Sequence, residues 1–381
     1  MSSPTLSLRA INRATLARQL LLERAALPVE AAVEHLVGLQ AQTTHSWYTG
    51  LWARLQGFDA ARAGALLAGR RLVRIALMRS TIHLVTAADC LALRPLVQPV
   101  IERSMRGNFG RDLAGLDREE LIAAGRAEVE ATPLTFSALG RALARRWPDR
   151  DPAALAQGVR AWVPLVQVPP RGVWGASGQA AHTTVESWLG RPLRATALDE
   201  MVLRYLGAFG PATVRDAQLW SGLTRLGAVF DRLRPRLVTF RDPAGAELFD
   251  LPDAPRPDAD APAPVRFLYD YDNLLLSHAD RSRVIAAPYF DQGFTADGPM
   301  PSILLVDGFT AGSWRLSRRQ KAATLTVRPF APLPPAARDE VVAEGARLLA
   351  FLAPAATGPE VQIVAPAGGA AGEGGSRAPE G

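Results

Sequence analysis

The sequence predicts an α+β protein with three tandem winged-helix units followed by a C-terminal β-rich domain. The chain has 381 residues, which is too long for one ordinary domain. Helical spacing of apolar residues followed by a strand pattern recurs along the first 252 residues. A proline-rich segment comes next, and several strand patterns follow it. This order of patterns is typical of helix-turn-helix units joined to a separate β-domain.

The first winged-helix unit is predicted over residues 1–92. Pro28 opens a helix whose apolar residues share one face, namely Ala32, Val33, Leu36 and Val37. Apolar residues at Val73, Ile75 and Leu77 then alternate with other residues, which predicts a strand. Helices followed by a short strand pair have the order of a winged helix.

The second and third units are predicted over residues 93–192 and 193–252. The second has helical patterns followed by a proline-interrupted, β-like stretch at 163–173. In the third, Thr213 is expected to cap a helix, and a turn at 242–245 separates the two strands of a hairpin. We find no strict sequence repeat, so the repetition lies in the order of elements.

The remaining residues predict a linker, a β-rich domain and a tail. Residues 253–264 are rich in proline and aspartate, which indicates an extended linker. Residues 265–365 are predicted as the β-rich domain, ending in a helix at 341–351. Strand patterns within it lie at 267–276, 282–286, 302–306, 312–316 and 323–327. Residues 366–381 consist mainly of glycine, alanine and proline and are expected to be disordered.

Composition narrows the class of protein. The net charge of +6 favours a polyanionic partner, although Lys321 is the only lysine and the arginine bias also fits a GC-rich genome. No apolar run reaches about 18 residues, and no secretion signal is recognisable. Cys90 is the only cysteine, which excludes an intrachain disulfide and a cysteine-rich zinc site. The sequence therefore predicts a cytoplasmic protein.

The segment Leu39-Gln40-Ala41-Gln42 holds the most informative polar residues. Gln40 continues the apolar face of the preceding helix, and an unpaired buried amide costs about 1–3 kcal/mol. If the helix ends near Gly38, extended backbone directs Gln40 and Gln42 to the same side. If it does not, Gln40 caps the helix and Gln42 is solvated. Spacing alone leaves both interpretations open and favours the second.

Several segments together resemble the AlkZ-type DNA glycosylases, which are relatives of the YcaQ enzymes. The resemblance covers nearly the whole chain except the tail. It is carried by the segments 12–15, 37–42, 50–55, 78–84, 271–278, 280–283, 307–309 and 314–316. The fold that it implies is three winged helices and a C-terminal β-domain. The family's catalytic motif is Gln-apolar-Gln, here Gln40-Ala41-Gln42, whereas YcaQ-like relatives carry aspartate at the second polar position.

The resemblance implies a monofunctional DNA glycosylase acting on cationic alkylated purines in double-stranded DNA. Alkylation at N7 makes guanine cationic, so the base can leave as a neutral purine without being protonated by an acid. The enzyme then needs only to place a water beneath C1′ of the sugar. A glutamine amide orients water but does not act as a base near neutral pH. In this family the substrates extend to bulky adducts and interstrand crosslinks. The Gln-apolar-Gln branch often provides self-resistance beside antibiotic biosynthesis genes.

Other residues are candidates for DNA contact, and each has a structural alternative. The candidates are Trp47, Arg74, Arg79, His83, Arg281 and Arg283. For the first four the alternatives are core packing, a solvated wing or a structural hydrogen bond. For Arg281 and Arg283, on a common strand face, the alternative is an ion pair with Asp272 or Asp280. The histidine spacing fits no metal site, and no dinucleotide- or nucleotide-binding motif is present, so neither metal nor cofactor is expected.

Two function classes remain after these observations. The first is the base-excision repair glycosylase, which we expect to be a monomer. The second is a non-catalytic winged-helix transcriptional regulator, which the winged helices alone support equally well. The glutamine pair in its family context favours the glycosylase. Three units in one chain also differ from the dimeric regulator that contacts two half-sites.

Overall fold

The computed structural model describes residues 3–290 and 301–366, and it has the predicted α+β composition. The α-helices are α1 (Leu8–Arg18), α2 (Val29–His35), α3 (Ser46–Trp52), α4 (Ala60–Ala68), α5 (Ala87–Leu93), α6 (Gln98–Phe109), α7 (Arg118–Ala131), α8 (Phe136–Ala144), α9 (Pro152–Trp162), α10 (Val185–Leu189), α11 (Leu198–Phe209), α12 (Val214–Ser221), α13 (Gly227–Leu233), α14 (Asn273–Leu276) and α15 (Pro335–Leu352). Short 3-10 helices lie at Met78–Ser80, Arg234–Arg236 and Ala287–Tyr289. The strands are β1 (Leu39–Gln40), β2 (Leu72–Ala76), β3 (Ile82–Thr86), β4 (Leu134–Thr135), β5 (Leu165–Gln167), β6 (Ala181–Thr184), β7 (Val238–Arg241), β8 (Glu247–Asp250), β9 (Arg266–Phe267), β10 (Ser302–Val306), β11 (Phe309–Arg319), β12 (Ala322–Pro329) and β13 (Glu360–Ile363).

The chain divides into two compact units. The first contains the described residues up to Ala263 together with Leu268–Val284. The second contains Pro264–Phe267 and the described residues from Ile285 onward. The segment Leu268–Val284, which the sequence places in the C-terminal domain, therefore packs with the first unit.

A single six-stranded sheet links the first two predicted winged helices. Its strand order is β1-β3-β2-β5-β6-β4. In each half the short strand lies at the outer edge of the sheet, and the second and first strands of the hairpin follow toward the centre. Each half runs helix, short strand, helix, helix and hairpin, with the short strand antiparallel to the last strand of the hairpin. The halves join where β2 pairs with β5, through Arg74 opposite Gln167 and Ile75 opposite Val166.

The same order occurs a third time in the helices and hairpin from α11 to β8. Here the short strand is reduced to an antiparallel bridge between Ala212 and Phe249. Two backbone hydrogen bonds join these residues, at 3.0 and 2.8 Å. Helix, short strand, helix, helix and hairpin is the winged-helix order, and three winged helices remain our proposal for the domain organisation.

A continuous hydrophobic core fills the first unit. It extends from the sheet residues Val73 and Ile75 to Tyr205, Phe209 and Trp220 on α11 and α12. The segment 253–264, predicted as a linker, contains no helix or strand. It is hydrogen-bonded to α1, where Arg13 donates to the Ala261 carbonyl at 2.7 Å and Arg18 to the Pro255 carbonyl at 3.1 Å.

The second unit contains a five-stranded sheet of order β13-β12-β11-β10-β9. The prediction of a strand at 302–306 is confirmed, and the predicted strands at 312–316 and 323–327 lie inside β11 and β12. The predicted helix at 341–351 lies inside α15, which begins at Pro335. The predicted tail at 366–381 lies outside the described residues except for its first residue.

The predicted strand at 267–276 is wrong beyond Phe267, and no strand forms at 282–286. Asp272 accepts a hydrogen bond from the Leu274 backbone N–H at 3.0 Å, so it caps the short helix α14. The run of leucines that suggested a strand is therefore helical. Arg281 and Arg283 consequently do not share a strand face.

Candidate functional site

The short strand β1 carries Gln40, the first residue of the glutamine motif, and a sharp turn after α2 leads into this strand. Val37 and Gly38 have φ values of 53° and 87°, which end the helix and send the chain into extended backbone. A Cβ at Gly38 would lie 2.6 Å from the Val85 side chain and 2.9 Å from the Leu84 carbonyl oxygen. Only glycine fits here, and Gln40 then pairs with His83 on β3. The extended backbone of the first interpretation forms as far as Gln40, whereas Gln42 lies in a bend and is exposed, as in the second interpretation.

The outer edge of β1 is paired by side chains. The Asn273 amide oxygen accepts from the Gln40 backbone N–H at 3.1 Å, and its nitrogen donates to the Gly38 carbonyl at 2.7 Å. The Tyr269 hydroxyl donates to the Gln40 carbonyl at 2.9 Å. All three contacts lie inside the first compact unit. Because β1 is only two residues long, these side chains hold its backbone in place.

The Gln40 side chain is 3% exposed, and Arg79 holds it. The Arg79 guanidinium donates to the Gln40 amide oxygen at 2.6 Å and to the Trp220 carbonyl at 2.5 Å. Gln42 is exposed, and its amide oxygen accepts from the Ile82 backbone N–H at 3.2 Å. Both amides therefore contact the turn between β2 and β3. Since both partners only donate, the oxygen of each amide faces this turn.

Arg74 and Arg79 were candidates for phosphate contact, with a solvated wing face as the structural alternative. Arg74 is instead 1% exposed and donates to the Ala41 carbonyl, between the two glutamines, at 2.7 Å. Burial lowers the pKa of each arginine to about 10, so both remain cations at neutral pH. We therefore assign Arg74 to the support of the motif.

His83 and Trp47 lie in the interior as well. His83 is 1% exposed, and burial together with the Arg79 charge lowers its pKa to about 3, so the ring is neutral near pH 7. Trp47 has no exposed surface, stacks on Tyr48 with a centroid distance of 3.6 Å, and donates its indole N–H to the Thr44 carbonyl. The structural alternatives considered for these two residues, a hydrogen bond and core packing, are the ones that fit.

Arg283 is also enclosed, with 5% of its surface exposed. It donates to the Pro211 carbonyl at 2.8 Å and pairs with Asp216 at 3.5 Å. The expected acceptors are engaged elsewhere, because Asp272 pairs with Arg54 and Asp280 accepts from Ser282. Arg281 is half-buried, and its contact with DNA stays a prediction.

The structure adds site residues that the sequence analysis missed. Besides Asn273 and Tyr269, the buried pair Arg54–Asp272 is bidentate, with N–O distances of 2.8 and 2.7 Å. It anchors the segment that holds β1. Thr43 donates a short hydrogen bond to one carboxylate oxygen of Asp270, whose other oxygen is buried without a partner among the described residues. The available signal was the polar run Asp270-Tyr271-Asp272-Asn273 directly after an apolar stretch.

The part of the chain that the structure describes contains neither a metal-binding cluster nor a membrane-spanning helix. No cluster of three His, Cys, Asp or Glu side chains there could hold a metal ion. No helix within residues 3–290 and 301–366 has the length and hydropathy needed to cross a bilayer.

Comparison with known proteins identifies the family and a similar solved structure. The model of the family described as DNA glycosylase AlkZ-like matches residues 33–351. The structure of the DNA glycosylase AlkZ from Streptomyces sahachiroi is similar to this chain, with a TM-score of 0.76 and 20% sequence identity. The similarity covers 94% of this chain and 100% of that one. A search of curated proteins found no match.

Proposed function

Since the chain belongs to the AlkZ-like DNA glycosylase family, we propose that Gln40 and Gln42 place the water that hydrolyses the N-glycosidic bond. The proposed substrates are cationic purines in double-stranded DNA, foremost N7-alkylguanine, with bulky adducts and crosslinks at that atom as an extension. The observation that supports this proposal is the pair of neutral amides held by hydrogen bonds to their oxygens, Gln40 on the supported strand β1 and Gln42 in the bend that follows it.

The chemistry fits neutral amides. A cationic alkylated base departs as a neutral purine, so no side chain must protonate it. Each glutamine oxygen has a second lone pair and each amide has two N–H donors, which together can hold a water in one orientation. Positioning of this kind contributes several kcal/mol to a barrier. Because the exposed Gln42 lies at the surface and Gln40 behind it, Gln42 is the first of the two to meet DNA.

The test is base release from a duplex with one N7-methylguanine, measured in a single turnover with excess enzyme. We expect Gln42→Ala and Gln40→Ala each to slow release by about 100-fold or more, as loss of one positioning donor does elsewhere. Gln56→Ala is the matched control, because Gln56 is an exposed glutamine whose side chain donates to the Arg24 carbonyl.

Circular dichroism is recorded for every variant. Folded Gln40→Ala and Gln42→Ala proteins with release rates near that of Gln56→Ala would refute the catalytic assignment. A second assay, with a duplex that carries a bulky N7 adduct, tests separately whether the substrates extend from N7-methylguanine to bulky adducts.

A further inference from the structure

Arg79 lies in the tight turn between β2 and β3, with its side chain directed inward. Arg79 and Ser80 have φ values of 55° and 61°, a conformation that non-glycine residues rarely adopt. Such strain persists only where the surroundings fix it, and it is concentrated at functional sites. Here the backbone strain coincides with a guanidinium that reaches Gln40.

The two hydrogen bonds of Arg79 join Gln40 to helix α12. One guanidinium nitrogen donates to the Gln40 amide oxygen at 2.6 Å and the other to the Trp220 carbonyl at 2.5 Å. The guanidinium is planar, so fixing one arm fixes the direction of the other. The Gln40 amide is thereby tied to a helix that lies 180 residues further along the chain.

A charged donor also fixes which way round the amide lies. A glutamine amide can exchange its oxygen and nitrogen by rotation about its last bond, but a guanidinium donates only and so requires the oxygen. A hydrogen bond from a charged donor is about twice as strong as one between neutral groups, so it keeps the amide predominantly in the orientation with its oxygen inward.

We propose that Arg79 is a positioning residue for Gln40 and not a ligand of a DNA phosphate. It holds the Gln40 oxygen inward and leaves the amide N–H groups and the second oxygen lone pair for the water. This inference rests on the proposed role of Gln40. A positioning role predicts a slower rate of base release with unchanged DNA affinity, whereas the phosphate contact expected from the sequence predicts weaker DNA binding with an unchanged rate.

The experiment compares Arg79→Met, Arg79→Lys and Arg160→Met. Methionine keeps much of the side-chain length and removes the donors, whereas lysine keeps one charged donor. Arg160 is the matched control, because it donates to the Ser80 carbonyl of the same turn at 2.9 Å without contacting Gln40. For each protein we measure the single-turnover rate at saturating enzyme, and the affinity for a duplex with an abasic site over a range of salt concentrations.

We expect Arg79→Met to slow base release at least tenfold, with affinity within twofold of wild type and an unchanged salt dependence. Arg79→Lys should recover part of the rate, and Arg160→Met should stay within threefold of wild type. In a Gln40→Ala background, Arg79→Met should have no further effect, because the group that it orients is gone.

A phosphate ligand would give the opposite pattern. Affinity would fall, the slope of log K against log salt would become shallower by about 0.9, and the saturated rate would be unchanged. That result would overturn the inference. So would rate losses that multiply in the Gln40→Ala, Arg79→Met double variant, or a loss of rate in Arg160→Met equal to that in Arg79→Met. If Arg79→Met does not fold, Arg79→Lys and its double variant with Gln40→Ala decide the same question. If wild type releases no base, the proposed function itself fails; if wild type is active and Arg79→Met equals it, only this inference fails.

Discussion

At the scale of single residues, the site depends on side chains that act as backbone partners. Asn273 presents one acceptor and one donor to the edge of β1, as a neighbouring strand would. Tyr269 adds a third bond, to the Gln40 carbonyl. A two-residue strand at the edge of a sheet would otherwise have little to hold it. The position of Gln40 is therefore set by residues that do not face the proposed substrate.

We predict that Asn273→Ala lowers the free energy of unfolding by about 2–4 kcal/mol, because it leaves two buried backbone groups unpaired. We also expect slower base release in protein that remains folded, since β1 loses its outer support. Urea denaturation and the single-turnover assay measure the two effects.

Asn108→Ala is the control for this change. Asn108 is exposed and donates only to the Ser104 carbonyl within α6, so its loss should cost less than about 0.5 kcal/mol. Equal stability losses in the two variants would show that the Asn273 contacts do not support the strand.

At the scale of elements, the glutamine motif occupies a position that recurs in the fold. In the second repeat β4 leads directly into α8, and Thr135 caps that helix by accepting from the Ala138 backbone N–H. In the third, Thr213 caps α12 just after the bridge at Ala212. In the first, residues 41–45 intervene between β1 and α3. The site thus lies in the one repeat where a loop, residues 41–45, replaces the threonine that caps the following helix in the other two.

We predict that Gly38→Ala is much more destabilising than Gly57→Ala. Both glycines have positive φ, but a Cβ at Gly57 meets nothing within 4 Å, whereas one at Gly38 collides with β3. The φ strain common to both costs about 1 kcal/mol, and we expect about 2 kcal/mol more at Gly38. Thermal or urea unfolding measures the difference. Similar losses in both variants would mean that the contact with β3 relaxes freely.

The elements also show how much the sequence could predict. Local patterns identified β10 to the residue, because it is a short apolar run bounded by Pro301 and by Asp307-Gly308. They failed at α14, where the cap at Asp272 outweighs an apolar run. The glutamine pair could be selected from its motif. The inward contacts of Arg74 and Arg79 could not, because their acceptors at Ala41 and Trp220 become neighbours only in the folded chain.

At the scale of the whole molecule, buried histidines connect stability to pH. His83, His182 and His278 are each at most 2% exposed. Burial is the largest cause that lowers their pKa values, to about 3, 4 and 3. Below the ordinary histidine pKa of 6.5 the unfolded chain takes up protons at these positions and the folded chain does not. Their contribution to stability is therefore complete above pH 6.5 and is lost as the pH falls toward the folded values.

We predict that the free energy of unfolding falls by about 2 kcal/mol per buried histidine between about pH 6.5 and pH 5. Urea unfolding across this range measures the loss. His182→Phe should fall less steeply, because phenylalanine keeps the stacking on Phe136 and does not titrate. A variant as sensitive to pH as wild type would show that His182 does not contribute.

The side-chain support of β1 has a consequence for how the protein is made. Tyr269 and Asn273 follow Gln40 by 229 and 233 residues. At about 5–20 residues per second, a ribosome needs on the order of ten to fifty seconds to reach them after it has translated Gln40. During that interval the residues of β1, Gln40 among them, lack the side chains that pair their outer edge in the folded protein. The mature arrangement of Gln40 therefore forms late in synthesis, after the three helix-rich repeats have been translated.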